Sequence, residues 1–165
     1  MDKKDRLVLE MMEFNRGNAK RIQHFVKVYE LSRLIGVMEQ LSDEEMEILE
    51  AAAIVHDIGI KVALEKYGEA YGKLQEKEGP PYAEKILEKL EYDKSVINRV
   101  SFLVGHHHTY DNIDGIDYQI LVEADFLVNL CEKNSNEETV LDVYRKIFKT
   151  KSGKDVCQTM FGLSI

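Results

Sequence analysis

Paired cysteines, an excess of basic residues and any long apolar run are all missing from this sequence. Cys131 and Cys157 stand alone with no CxxC spacing, which excludes a disulfide framework and a zinc knuckle. The longest wholly apolar stretch, Ala51-Ala52-Ala53-Ile54-Val55, falls far short of the ~20 residues that span a bilayer. The charged opening Met1-Asp2-Lys3-Lys4-Asp5-Arg6 leads into no signal-type apolar segment. Lys and Arg number 22 against 30 Asp and Glu, a net charge of −8. That balance argues against general nucleic-acid binding, which needs a basic face to displace counterions from phosphates, and leaves room for a small basic pocket. What is present is a chain of 165 residues, 44% hydrophobic and 32% charged. That is the size and composition of one globular domain. The expectation is a soluble, reduced, cytoplasmic single domain over residues 1–165, with no membrane segment.

Sustained period-2 alternation is also absent, whereas apolar residues recur at helical spacing throughout. Leu7, Val8, Met11 and Met12 form a first stripe, whose face could pair with a second copy of the chain. Ile22, Phe25, Val26 and Tyr29 lie beside His24, Val28, Leu31 and Ile35, so this helix is apolar over much of its girth and should be central; Gly36 is read as its end. Ser42-Asp43-Glu44-Glu45 has the form of a capping box and opens a helix through Leu49, Ala52 and His56. Residues 61–79, with three glycines, read as short turns and loop, and Pro80-Pro81 as the first turn of the next helix. Asp93 is placed to cap the stripe Val96, Ile97, Val100, Leu103 and Val104. Two further helices carry Ile120 to Cys131 and Val140 to Phe148, and the tail from Thr150 is weakly patterned. No repeat or linker interrupts the chain. The fold class is therefore all-α, a compact bundle of about seven helices, with a core over 18–132 and a C-terminal helix and tail over 133–165.

The chemistry-bearing residues sit on these helices and at their ends. His24 lies on an apolar stripe, His56-Asp57 closes an Ala-rich helix, and His106, His107 and His108 end another. Asp125 stands mid-helix between Leu121 and Val128, where an unpaired carboxylate is costly. Each has an ordinary structural explanation: a hydrogen-bonded core histidine, a polar helix end, a solvated His cluster, a salt-bridged Asp. The ordered set is what points elsewhere, because a divalent cation relieves the buried carboxylate and takes neutral imidazoles as co-ligands.

His24, then His56-Asp57 within Ala51-Ala52-Ala53-Ile54-Val55-His56-Asp57-Ile58-Gly59, then Asp125 within Glu123-Ala124-Asp125-Phe126-Leu127, resembles the HD superfamily of metal-dependent phosphohydrolases. The likeness covers roughly residues 18–132 and implies the family's helical core. It implies one divalent metal ion held by His24, His56, Asp57 and Asp125, with Asp57 also orienting the nucleophile. Imidazole with carboxylate suits Mn, Fe, Co, Ni or Zn. Some members hold a second metal through histidines after the dyad; here none lies between His56 and His106, so a mononuclear site is expected. His106 is the nearest match to the family's downstream histidine, completing the shell, contacting phosphate or protonating a leaving group, with His107 as runner-up. His107-His108-Thr109-Tyr110-Asp111 departs from the text of the subgroup that cleaves cyclic dinucleotides, so that assignment is rejected.

Such an enzyme needs cations for the substrate's oxygens. Lys61 is the first choice as a catalytic and substrate-binding residue, with Arg21, one turn before His24, and Arg99 behind it. Tyr67, Tyr71 and Tyr110 are candidates to stack on a base. The resemblance thus implies a phosphomonoesterase, phosphodiesterase or pyrophosphatase for a small phosphorylated substrate, plausibly a nucleotide. The alternative is a non-catalytic sensor of metal or nucleotide on the same fold.

Overall fold

A computed structural model describes all residues 1–165, and every regular element in it is a helix. There are nine: α1 (Lys3–Phe14), α2 (Ala19–Met38), α3 (Asp43–Val55), α4 (Gly59–Tyr67), α5 (Gly72–Lys89), α6 (Lys94–Val104), α7 (Ile116–Glu132), α8 (Glu137–Ile147) and α9 (Lys151–Phe161). The all-α class agrees with the sequence pattern, with two more helices than periodicity suggests. No helix is long and apolar enough to cross a membrane.

Helices α2, α3 and α7 form the centre. Each packs on the other two, and α6 closes on α3 from a further side. Ile48 through Val55 are all buried, as are eleven residues of α7, so these helices bury nearly their whole circumference. The start of α3 is set by the capping box: the Glu45 backbone N–H donates to Ser42 Oγ at 3.2 Å, and the Ser42 N–H to Glu45 Oε2 at 2.8 Å. Asn18 caps α2 through the Arg21 N–H at 3.0 Å, which fixes the first turn from which Arg21 and His24 project.

Three boundaries differ from the sequence reading. Gly36 lies inside α2, not at its end, and a Cβ there would stand 2.6 Å from Met46 Sδ; its small size serves the close approach of α2 to α3. Residues 61–79 are mostly helical, forming α4 and the first half of α5, so Pro80 and Pro81 fall within α5 rather than opening it. Each proline removes an intrahelical hydrogen bond, and the packing of α5 on both α4 and α6 holds the segment helical through them. The tail forms α9, which buries Cys157 against the core. The polar anchor there is Glu123, fully buried on α7. Its carboxylate accepts the Lys149 and Thr150 backbone N–H groups at 2.7 and 2.9 Å and the Thr150 hydroxyl at 2.6 Å.

Candidate metal centre

Three regions converge where α2, the α3–α4 turn and α7 meet. Helix α2 brings His24, the turn brings His56 and Asp57, and the middle of α7 brings Asp125, all buried. His24 Nε2 lies 3.2 Å from both Asp57 Oδ2 and Asp125 Oδ1. His56 Nε2 lies 3.3 and 3.4 Å from the same two oxygens. The four residues expected to hold a metal are therefore brought together.

The outer edges of the rings explain their orientation. His24 Nδ1 faces the Glu132 carboxylate at 3.0 Å, and Lys27 neutralises that carboxylate from outside at 3.2 Å. His56 Nδ1 lies 2.7 Å from the Ala53 carbonyl. A carbonyl or carboxylate only accepts, so each Nδ1 carries a hydrogen, and each Nε2 is the ring atom turned inward toward the two Asp carboxylates. Both Nε2 atoms are buried with no hydrogen-bond partner. A buried polar atom left in that state is costly, and a divalent cation taking the place of the proton between imidazole and carboxylate satisfies it. The donor set of two imidazoles and two carboxylates suits a transition metal, and the Nδ1 partners are the outer contacts that hold such ligands in place. The residues fit the group.

The charges in this cluster bind each other tightly. Burial opposes charging His24, but the Asp125 and Asp57 carboxylates outweigh it and bring its pKa up to about 9. His56 is likewise raised by the same carboxylates against its complete burial. Burial alone would raise Asp57 and Asp125; the surrounding imidazoles hold both below the usual carboxylate range.

Around this core the placement of the other candidates is uneven. Arg21 reaches it: its guanidinium donates to Asp57 Oδ2 at 2.8 Å. Lys61 does not. Its ammonium donates to the Phe14 carbonyl at 2.9 Å and sits over the Phe14 ring, lining a separate cavity that Asp57 does not face. His106 also turns away, stacked on Phe102 with Nδ1 2.7 Å from the Phe102 carbonyl. The runner-up His107 takes the inward position, with Nε2 3.3 Å from Asp57 Oδ1 and Nδ1 2.9 Å from the Val104 carbonyl. Consecutive residues in a tight turn point in different directions, and sequence spacing cannot choose between them. Arg99 is committed to Asp114 and Asp117, and Tyr67 to Glu78.

A cavity of about 420 Å³ opens onto Asp57 and Asp125. Arg21 and Lys133 supply its positive charge, Ser135 and Thr139 hydroxyls, and Tyr110 and Phe126 an aromatic wall with rings 5.2 Å apart. Gln75 and His108 line it as well. Sequence reasoning missed Gln75, Glu132 and Lys133, and it named His108 only as part of the His cluster. Glu132 had a faint signal, lying seven residues after Asp125 and so on the same face of α7; for Gln75 and Lys133 nothing in the sequence marks them.

The chain matches the HD domain family over residues 21–149 and belongs to it, a family of metal-dependent hydrolases. Its fold is similar to that of a protein described as a predicted HD superfamily hydrolase from an uncultured Thermotogales bacterium. The TM-score is 0.65 at 23% identity, covering 95% of this chain and 82% of that one. No curated protein matches the chain.

Proposed function

We propose that this chain is a phosphohydrolase acting on a small phosphorylated molecule of nucleotide size, with a divalent ion of Mn, Fe, Co, Ni or Zn held by His24, His56, Asp57 and Asp125. The observation that carries this reading is the convergence of two unpartnered buried imidazole nitrogens and two carboxylates at the wall of a cavity that also presents Arg21. Such an ion, when bound, polarises a phosphoryl oxygen and lowers the pKa of water. The remaining work belongs to the chain. Arg21 provides a planar guanidinium for phosphate oxygens beside Asp57, and Lys133 adds a second positive charge at the cavity wall. The Ser135 and Thr139 hydroxyls offer hydrogen bonds to the remainder of the substrate, and Tyr110 with Phe126 presents an apolar surface to a base or similar group. His107 does not line the cavity; it is a positioning residue that holds Asp57 through Oδ1. The volume lies within the range of small-molecule sites, and the mixed lining favours a polar, phosphorylated ligand over a lipid.

The test is elemental analysis of the purified protein beside its Asp57→Ala variant, then a metal-matched screen of phosphomonoesters, phosphodiesters and pyrophosphates. A bound transition metal in the parent, lost in the variant with helicity intact, together with turnover in the parent, is the expected result. Metal without turnover over the whole panel would replace this reading with that of a sensor module. A parent that takes up no metal after reconstitution would overturn the site.

A further inference from the structure

Asp57 and Asp125 are held in unlike ways. Asp57 sits in the α3–α4 turn, and both its oxygens have partners besides His24 and His56: Arg21 donates to Oδ2 at 2.8 Å, and His107 Nε2 faces Oδ1 at 3.3 Å. Asp125 stands in the middle of α7. The oxygen it turns toward the two imidazoles is Oδ1, 3.2 Å from His24 Nε2 and 3.4 Å from His56 Nε2. Besides those rings, Oδ1 has one further partner, the side-chain Nδ2 of Asn129, which donates to it at 3.0 Å.

That bond follows from the helix. Residues four apart are neighbours on one helix face, and each Cα–Cβ bond tilts toward the N-terminus, so Asn129 leans back over the turn that carries Asp125. An ionised carboxylate only accepts, which sets the Asn129 amide with its nitrogen on Asp125. The need for such a bond lies in Asp125 itself. A helix fixes the backbone, but rotation of a carboxylate about its Cβ–Cγ bond is only weakly restricted. The donor is also neutral. A Lys or Arg in its place would offset the negative charge that a cation site depends on, whereas an amide orients the carboxylate and leaves its charge intact.

We propose that Asn129 is a positioning residue for the metal centre, holding the Asp125 carboxylate with Oδ1 toward His24 and His56. The proposal rests on the reading that His24, His56, Asp57 and Asp125 hold a metal ion. Asn129 acts through Asp125 as Glu132 acts through His24 and the Ala53 carbonyl through His56.

The experiment measures Co(II) affinity by equilibrium dialysis and the visible absorption of bound Co(II), with no substrate present, in the parent, Asn129→Leu and Asn129→Ala. Leu keeps close to the volume of Asn and removes the donor; Ala favours the helix, so the second variant decides if the first fails to fold. Both should stay helical, with metal-free thermal midpoints near the parent's, bind Co(II) roughly 10- to 100-fold more weakly, and shift its absorption. Parent-like affinity and absorption in either folded variant would overturn the proposal while leaving the metal site standing. So would a lowered metal-free midpoint with affinity unmoved, which marks a bond that serves α7 alone. A parent that binds no Co(II) would instead remove the metal reading, and the role of Asn129 with it.

Discussion

Arg21 and Lys61 show how a few ångströms separate a working side chain from a bystander. Both are cations near the HD dyad in sequence or space. Arg21 leaves α2 one turn before His24 and its guanidinium reaches Asp57, whereas Lys61 leaves α4 and is held by Phe14. A charge-assisted hydrogen bond to a phosphate oxygen contributes about 1.5–3 kcal/mol. Arg21→Ala should therefore raise KM for a phosphorylated substrate by roughly 10- to 150-fold with metal content preserved. Lys61→Ala should leave both kcat and KM unchanged. Steady-state kinetics on the two variants with matched metal decides the point, and a loss of activity confined to Lys61→Ala would reverse the assignment.

At the scale of elements, the α4–α5 contact places Gln75 and carries little apolar surface to do it. After Gly72, helix α5 runs through Lys73, Leu74, Gln75, Glu76, Lys77 and Glu78, and two of its polar residues, Gln75 and Glu78, are buried. They are satisfied by Ala70, His108, Lys66 and Tyr67 rather than by apolar packing. The backbones touch at Gly59, where a Cβ would stand 2.4 Å from the Gln75 carbonyl oxygen and 3.0 Å from the Gly79 nitrogen. Neither contact is the yielding end of a side chain, so the helices themselves must part. Overpacking of this kind costs about 1–3 kcal/mol. Gly59→Ala should lower the urea midpoint accordingly. An unchanged midpoint would mean that α4 and α5 adjust without cost.

For the molecule as a whole, α9 matters because it packs on α2, α7 and α8 and completes the core. Cys157 is fully buried there, while Cys131 is exposed on α7. Burial, reinforced by the Glu123 carboxylate, pushes the Cys157 thiol up to about 11. A raised thiol pKa means less thiolate at a given pH: at pH 8 about one Cys157 in a thousand is ionised, and thiolate is the reactive form. A thiol-reactive disulfide reagent at pH 8 should thus titrate one of the two cysteines in the native protein and both in denaturant. Rapid reaction of both in the native state would show that α9 detaches readily from the core.

The helical class, the capping box at Ser42, the central standing of α2 and α3, and the four residues of the metal cluster are all legible in the sequence. The physical reason is that they rest on local periodicity and on residue types whose burial is costly without a partner. His24 and Asp125 stand out because an imidazole and a carboxylate on apolar helix faces demand an explanation wherever the helices cross. The sequence pattern fails where polar residues are buried by one another, as in the first half of α5, and where a single buried carboxylate, Glu123, orders a weakly patterned tail. Only the tertiary structure chooses His107 over His106 and Arg21 over Lys61, because those choices depend on the direction of a side chain at a helix end. The same holds for the contact between His108 and Gln75. It joins residues thirty-three apart in the chain, which come together through the packing of α5 on α4 and α6.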